Sequence, residues 1–412
     1  MAGHSTAGEA PRRVLLGISG GIAAYKTCSV ISSLAKAGVA VKVVLTQQGQ
    51  AFIPPLTVAT LSRHPAYTDD SFWQATQGRP LHIELGEWAE LFVIAPLSAN
   101  TLGKLAHGLA DNLLTNTLLA STCPVLLAPA MNTDMWQQRA VQRNWHQVLE
   151  DARYHGINPG SGVLACDRIG TGRMAEPEDM LTHVYSLLHT GGRRDLAGKH
   201  LLISTGSTRE FLDQVRFIGN PASGKMGIAL AQAGIHRGAT VTLVHGPMAE
   251  SLKARLGGIQ AVGVTTAEEM HRAMLSNLPQ ADWIVMAAAV ADVKPATQAT
   301  TKLAKADLPA SLPLDPVPDI VADLAQKRQP HQRLIGFAAQ TGDIVPPALD
   351  KLKRKGLDAI MANPIDVAGS GFGGDTNQAI LLTKAGDKVA IPPCTKLAMA
   401  HQIFDALTST GF

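Results

Sequence analysis

The first residues able to do chemistry surround a thiol. Cys166 lies in Gly-Val-Leu-Ala-Cys-Asp-Arg-Ile-Gly-Thr-Gly-Arg-Met (162–174), where the glycines suit a mobile flap and Arg168 and Arg173 favour a thiolate. Upstream, Pro-Ala-Met-Asn-Thr-Asp-Met-Trp (129–136) sets Met131 and Asn132 directly after an apolar run. An Asn there either caps the next helix or offers its amide to a ligand. His82, in Leu-His-Ile-Glu-Leu (81–85), is either a functional imidazole or a half-buried strand or loop residue. Near the start, residues 14–26 read as strand, glycine turn and helix. Gly17, Gly20 and Gly21 permit a tight turn, Ser19 adds a hydroxyl, and the helix start offers N–H groups to an anion. The pattern is neither GxGxxG nor a Walker loop, and the second strand ends in Thr46 where a dinucleotide site places an acid. A mononucleotide fits better. Ser98-Ala99-Asn100-Thr101 follows a further strand, at the sheet edge where ligands bind.

The second half carries a denser polar run over 201–227. Ser223-Gly224-Lys225 invites a P-loop reading, but Met226 stands where the magnesium-binding hydroxyl belongs, which rejects it. The segment 286–292, Met-Ala-Ala-Ala-Val-Ala-Asp, pairs small side chains that admit a flat base with the carboxylate of Asp292. That carboxylate binds a nucleotide or caps a turn. Lys302 and Lys305 lie in a loop, Asp319 stands in the first turn of a helix, and Lys351, Lys353, Arg354 and Lys355 form a basic run. In ordinary proteins such lysines are solvated charge.

The elements that must position these residues alternate regularly. Apolar runs at 14–18, 41–45, 91–95 and 125–128 read as buried parallel strands, with helices at 23–37, 100–120 and 178–190 between and after them. A polar, Gly-containing linker covers 191–199. The alternation then restarts with strands at 201–204, 240–244, 283–287, 333–337 and 359–361 and a hairpin over 379–391. Residues 296–318 read as a long loop. The pattern predicts an α/β protein: two doubly wound domains in series, a tail at 1–12 without assigned role, a first domain at 13–192 and a second at 193–412.

Composition narrows the function classes. The chain has 412 residues, 46% hydrophobic and 17% charged, enough for full cores. Lys plus Arg is 36 against 33 Asp plus Glu, so charge predicts no nucleic-acid partner. The four cysteines form no CxxC pair, which excludes a zinc ribbon or a disulfide framework. No apolar run reaches the ~18 residues of a membrane span, and the first residues predict no signal peptide. A cytoplasmic protein is expected.

Taken together, His82, the PAMNxxMW stretch and the flap ACxxxGxGRM (165–174) resemble the flavin-dependent phosphopantothenoylcysteine decarboxylases over about 12–190. The resemblance implies a flavodoxin-like half that binds FMN through Gly17, Ser19, Gly20, Gly21, Ile22, Thr46, Ser98, Ala99, Asn100 and Thr101. It implies His82 as base or orienting group, Asn132 on the substrate carboxylate, Cys166 as proton donor, and Met131, Arg173 and Met174 as substrate contacts. The chemistry is coherent: an aminothiol acid has no electron sink, and flavin oxidation of its thiol to a thioaldehyde creates one. One departure is that Asp167 and Arg168 follow the flap cysteine, where the family has Gly and an acid.

The stretches TREFLDxVRFIxN (208–220), SGKMG (223–227), AAAVAD (287–292), PDIV (318–321), GFAAxT (336–341) and the pair Lys351/Lys355 resemble the phosphopantothenate–cysteine ligases over about 195–412. The resemblance implies a Rossmann-like half that activates 4'-phosphopantothenate with CTP as an acyl-cytidylate, with Mg2+ on the phosphates, and couples it to cysteine. CTP contacts then fall on Met286, Ala287, Ala288, Asp292, Lys302, Pro318, Asp319, Ile320, Val321, Phe337, Lys351 and Lys355. Arg216 and Asn220 face the acyl-cytidylate, with Asn220 and Lys302 catalytic. Ser207, Phe211, Ala222 and Gln340 replace residues common in that family. The order of the halves is that of the fused bacterial coenzyme A enzymes, which implies that 4'-phosphopantothenoylcysteine passes from the second half to the first. It also implies a homo-oligomer, with trimer contacts in the first half and dimer contacts in the second. Two other classes compete: a nucleotide-dependent oxidoreductase, against which the missing acid after the second strand and the Asn132–Cys166 combination argue, and a non-catalytic flavoprotein subunit, against which the presence of His82, Asn132 and Cys166 argues.

Overall fold

A computed structural model describes residues 10–74, 78–163, 169–367, 369–371 and 373–411. The chain divides into two compact units, Met1–Arg193 and Arg194–Phe412.

The first unit is built on six parallel strands: β1 (Arg13–Ile18), β2 (Ala40–Leu45), β3 (Ala66–Tyr67), β4 (Leu91–Leu97), β5 (Val125–Pro129) and β6 (Tyr154–Gly156), in the order β3-β2-β1-β4-β5-β6. Leaving out the two-residue edge strand β3, this is the flavodoxin order. Both faces are covered, so the central strands are apolar throughout: Val14, Leu16 and Ile18 enter one core layer with Val30, Ile31 and Leu34, while Leu15 enters the other with Phe92, Leu114 and Leu118. The helix Ala24–Lys36 buries Ala24, Thr27, Val30, Ile31 and Leu34, an i, i+3, i+4 stripe. A separate antiparallel hairpin joins β7 (Gly160–Val163) to β8 (Ile169–Arg173).

The second unit contains β9 (His200–Thr205), a small antiparallel pair β10 (Arg209–Phe211) and β11 (Phe217–Gly219), then β12 (Thr240–His245), β13 (Gln260–Gly263), β14 (Trp283–Met286), a second small pair β15 (Val293–Pro295) and β16 (Leu314–Pro316), and β17 (Arg333–Gln340), β18 (Ala359–Pro364), β19 (Thr376–Thr383) and β20 (Lys388–Thr395). The main sheet has eight strands in the order β13-β12-β9-β14-β17-β18-β19-β20, of which β19 and β20 are antiparallel. Its six parallel members follow the 3-2-1-4-5-6 order of the Rossmann fold.

Three local expectations differ from the structure. Residues 100–120 form two helices, Ala99–His107 and Leu113–Ala120, because Gly108 takes the left-handed conformation (φ 66°) and Asn112 caps the second by accepting from the Thr115 amide. Residues 81–85 open a helix, Leu81–Trp88, rather than a strand or loop, with Leu81 and Leu85 buried one turn apart. The 296–318 loop folds back, so that β16 pairs with β15; proline is tolerated there because the pair is short and stands outside the main sheet. Among the described residues no helix is long and apolar enough to cross a membrane.

The helix Lys225–His236 lies against β9 through Gly227, where an added Cβ would stand 2.2 Å from Thr205 Oγ1 and 2.3 Å from Thr205 Cβ. Gly227→Ala is therefore expected to cost ~1–3 kcal/mol through overpacking, read as a lowered denaturant midpoint of the second unit.

Candidate functional site

Each sheet has a switch point, between β1 and β4 in the first unit and between β9 and β14 in the second, where crossovers leave towards opposite faces and open a crevice at the strand ends.

At the first switch point the loops are locked to each other. Ser19 is buried; its Oγ donates to the Pro96 carbonyl (2.6 Å) and accepts from the Ser98 amide (2.9 Å). Its hydroxyl thus ties the β1 loop to the β4 loop. Ser98 caps the helix Ala99–His107, accepting from the Thr101 amide (3.3 Å) and donating to Thr101 Oγ1 (3.1 Å). Ala99 and Asn100 form that helix's first turn. Thr46 Oγ1 likewise accepts from the Gly49 amide at the end of β2 (3.0 Å). Gly17 lies within β1, and a Cβ there would meet Leu114 and Ile94 at 2.8 and 2.9 Å, so it serves core packing rather than the turn. A Cβ on Gly20 would meet Gln48 at 2.5 Å, whereas one on Gly21 would find Pro96 only at 3.9 Å. The Gly20 and Gly21 amides donate to no backbone carbonyl among the described residues, and Ile22 is exposed beside them. Open amides beside hydroxyl-capped loops fit the phosphate and ring edge of a flavin mononucleotide.

The β7/β8 hairpin seats on the loop after β5. The Met131 amide donates to the Gly172 carbonyl (3.0 Å), and a Cβ on Gly172 or Gly170 would stand 2.2 Å from the Met131 carbonyl oxygen or 2.3 Å from Thr133 Oγ1. The flap glycines are needed for that approach. Cys166 lies outside the described residues, as do Asp167 and Arg168. Asn132 caps the short helix Thr133–Gln137, its Oδ1 accepting from the Asp134 amide (2.8 Å). Arg173 pairs with Glu176 (3.3 Å), which also holds the buried Lys26 (2.7 Å). Met174 is buried in the core, and its carbonyl accepts from Lys26 Nζ (3.2 Å), so its side chain packs with the β-sheet instead of facing solvent. His82 stacks edge-on against Phe72 (5.4 Å between centroids), and its buried Nδ1 has no hydrogen-bond partner among the described residues. A buried imidazole nitrogen without a partner is the kind of atom that a substrate satisfies.

The second switch point opens into a cavity of about 680 Å³. It gathers Asn220, Met286, Ala287, Ala288, Asp292, Pro318, Asp319, Ile320, Val321, Phe337, Lys351 and Lys355 from five separate stretches of chain. Asn220 reaches across the switch point, donating to the Val290 carbonyl (3.2 Å) and more weakly to that of Ala289 (3.4 Å). Asp319 caps the helix Ile320–Lys327 through the Ala322 amide (3.1 Å) and pairs with Lys355. Burial works against its ionisation, yet the Lys355 ammonium and the Ala322 amide hold its carboxyl below the usual range. Lys351 Nζ donates to the Phe337 carbonyl (3.0 Å); burial first, and then the neighbouring Lys355, pull its ammonium below the ordinary lysine range. Five cations line the cavity, Lys225, Lys351, Arg354, Lys355 and Lys396. Small side chains on one wall and a cationic excess suit a nucleotide with several phosphates.

Arg216 and Lys302 do not line this cavity. Lys302 is exposed in the segment that docks on the turn after β10. Ala299 donates to Leu212 (2.9 Å), Gln214 to the Thr300 carbonyl (2.7 Å), and Leu303 to Asp213 (3.2 Å). Arg216 pairs with the buried Asp213 and donates to the Leu303 carbonyl (3.2 Å).

Comparison with known proteins gives the family of the two units. Residues 3–189 match the flavoprotein family, and residues 196–410 match the C-terminal domain of the DNA/pantothenate metabolism flavoproteins. A coenzyme A biosynthesis bifunctional protein of Bacillus subtilis is 42% identical over 97% of this chain and 97% of its own. The chain belongs to the bifunctional coenzyme A biosynthesis family. A member from Vibrio cholerae is 39% identical over 96% of this chain and 97% of its own. A cysteine/cysteine sulfinic acid decarboxylase of an unknown prokaryote is 42% identical over 81% of this chain and 93% of its own. As a family member the chain is a two-part enzyme, a flavoprotein decarboxylase unit followed by a ligase unit.

Within this family member, sequence reasoning passed over Lys225 and Lys396 as cavity residues. Lys225 was set aside with the rejected P-loop, yet Lys at the first position of a helix, against the dipole, was a readable signal.

Asp213 governs the docked 299–303 segment. The Arg216 amide is the largest cause holding its carboxyl down to about 2 from an ordinary 3.8; burial opposes this, and the Val215 and Leu303 amides and the Arg216 guanidinium add to it. A depressed carboxylate stabilises fully above 3.8 and loses its contribution as pH falls through about 2. Asp213→Asn is expected to loosen the segment at neutral pH, seen as faster tryptic cleavage at Lys302 and faster amide exchange at Leu303. The wild type should show the same loosening only in that acid window.

Proposed function

We propose that the second unit activates 4'-phosphopantothenate with CTP as an acyl-cytidylate and joins it to cysteine, and that the first unit decarboxylates the resulting 4'-phosphopantothenoylcysteine to 4'-phosphopantetheine with FMN. The observation that carries this reading is the cationic cavity at the second switch point. A carboxylate accepts an amine only once its oxygen is a good leaving group, and transfer to a nucleotide α-phosphate makes it one. Lys351, Lys355 and Arg354 neutralise charge on the nucleotide, the small wall of Ala287 and Ala288 admits a flat base, and Asn220 lies where the acyl group arrives. Arg216, through Asp213, holds the Lys302 segment ready to cover that group. Mg2+ enters with the nucleotide phosphates, as it usually does where substrate phosphates supply most of its ligands, and Asp292 and Asp319 are carboxylates on the cavity wall.

In the first unit the amides of Gly20 and Gly21 and the loops capped by Ser98 and Thr46 hold the FMN. Bound there, FMN would supply reversible two-electron chemistry: it would accept two electrons from the substrate to create the electron sink for loss of CO2 and return them afterwards, so that the net decarboxylation is redox-neutral. Asn132 orients the carboxylate, His82 offers its Nδ1, which has no partner among the described residues, as base, and Cys166 delivers the final proton. The protein works in the cytoplasm as a homo-oligomer, through trimer contacts in the first unit and dimer contacts in the second. Exposed Ile22, Tyr25, Leu56 and Trp73 in the first unit and Val215, Phe217 and Leu314 in the second support such contacts.

The relative that decarboxylates cysteine favours a second reading, in which the first unit acts on the smaller aminothiol acid. The purified protein is expected to be yellow, with oxidised-flavin bands near ~370 and ~450 nm, and to couple phosphopantothenate to cysteine only with CTP. Decarboxylation should proceed on 4'-phosphopantothenoylcysteine and not on free cysteine. Cys166→Ser should stop the first unit after CO2 release while ligation continues, and Lys302→Gln should slow cytidylate formation alone. Loss of both activities from either change in a folded protein would refute the division into two sites.

A further inference from the structure

The nucleotide cavity has a second cationic end that the assigned residues do not use. Lys225 is the first residue of the helix Lys225–His236, and Lys396 is the first residue of the helix Lys396–Ser409. Both line the cavity. The helices pack against each other, and neither carries an acidic residue in its first turn. Placing a lysine at a helix start opposes the macrodipole, and doing so twice at one place leaves a concentrated positive field.

The local contacts leave that field largely unanswered. Lys396 is 8% exposed, yet its ammonium donates only to the Gly374 and Thr376 carbonyls (2.6 and 3.3 Å). Burial first, then repulsion from Lys225, hold it below the ordinary lysine range, with only Asp375 acting in the other direction. Lys225 donates to the Gly373 carbonyl (3.0 Å) and pairs with Asp375 Oδ1 (2.6 Å). Asp375 is 70% exposed, so it can leave this pairing for water. The floor is bare backbone: Gly206 and Gly224 both take positive φ (79° and 84°), and a Cβ on Gly224 would reach Gly206 Cα at 3.6 Å. Thr205 Oγ1 donates to the Gly224 carbonyl (2.9 Å), fixing the start of the first helix on the end of β9.

The other charged group in the cavity is Lys351, Arg354 and Lys355 with Asp292 and Asp319, and Lys351 donates to the Phe337 carbonyl. That end suits the base, the ribose and the α-phosphate, whose charge Lys351, Arg354 and Lys355 answer.

We propose that Lys225 and Lys396 form the polyphosphate end of the cavity, binding the β- and γ-phosphates of the nucleoside triphosphate, and that Asp375 is a resident carboxylate which those phosphates displace from Lys225. The inference rests on the ligase reading above and adds to it where the triphosphate lies. A triphosphate brings several anionic oxygens to a place that one exposed carboxylate answers only in part. The same two lysines then hold the pyrophosphate that leaves when the carboxylate is activated. Asp375 keeps Lys225 oriented in the meantime and competes weakly with the incoming nucleotide.

The test is calorimetric titration of the full chain with CTP and, separately, with CMP, in the presence of Mg2+. Lys225→Gln and Lys396→Gln should each weaken CTP binding at least tenfold and leave CMP binding within about twofold. Asp375→Asn should tighten CTP binding severalfold, a gain that a misfolded variant cannot mimic. Unchanged CTP affinity in both lysine variants would overturn the proposal, as would an equal loss of CTP and CMP or weaker CTP binding by Asp375→Asn. If the wild-type chain bound neither nucleotide, the ligase reading itself would fail and the proposal with it. Wild-type binding with insensitive variants would instead refute the polyphosphate assignment alone.

Discussion

Both sites depend on one constraint of parallel sheets. Adjacent strands whose crossovers depart to opposite faces cannot be covered at their carboxyl ends, so a crevice must open there. In the first unit the crevice lies between β1 and β4, and in the second between β9 and β14. Everything else narrows that opening. Ser19 pins one loop to the next across the first crevice, and Asn220 spans the second to the carbonyls of Ala289 and Val290. Residues with little or no side chain, Gly20, Gly21, Gly206 and Ala287, bring backbone to the lip where a ligand's polar edge must be met.

The two crevices solve different electrostatic problems on the same topology. The first presents open amides beside hydroxyl-capped loops, an arrangement of fixed dipoles suited to an anion. The second holds five cations against few acids, which suits a ligand with several phosphates. Two of those cations, Lys351 and Lys396, are partly desolvated, and a desolvated ammonium is more responsive to an arriving anion than one in water. The Asp213 cluster adds a third device, a buried carboxylate that gathers three amides and a guanidinium so that the exposed Lys302 segment has a defined anchor.

Much of the architecture was legible in the residues. Strands buried on both faces, such as Leu15–Leu16 in β1 and Ile203 in β9, show as short unbroken apolar runs that few other elements produce. Ambiguity came where two periods fit. Leu-His-Ile-Glu-Leu alternates like a strand yet also places Leu81 and Leu85 one helical turn apart, and packing decided for the helix. The 100–120 segment held enough apolar residues for one helix, while Gly108 and Asn112 together end one and begin another. The glycines of the first strand were legible as glycines but not by purpose: Gly17 makes room for Leu114 and Ile94, and only Gly20 and Gly21 belong to the turn.

By itself the sequence determined the two α/β units, their strands, the residue types at each strand end and the family, because these are local patterns of burial and spacing. Tertiary structure alone decided which polar groups are consumed and which remain to act. Ser19 finds the Ser98 amide 79 residues away, and Lys225 finds Asp375 across 150 residues. Met174 turns into the core while Lys396 turns into the cavity. Pairings over such separations depend on how crossovers return the chain to the switch point, and no local period records them.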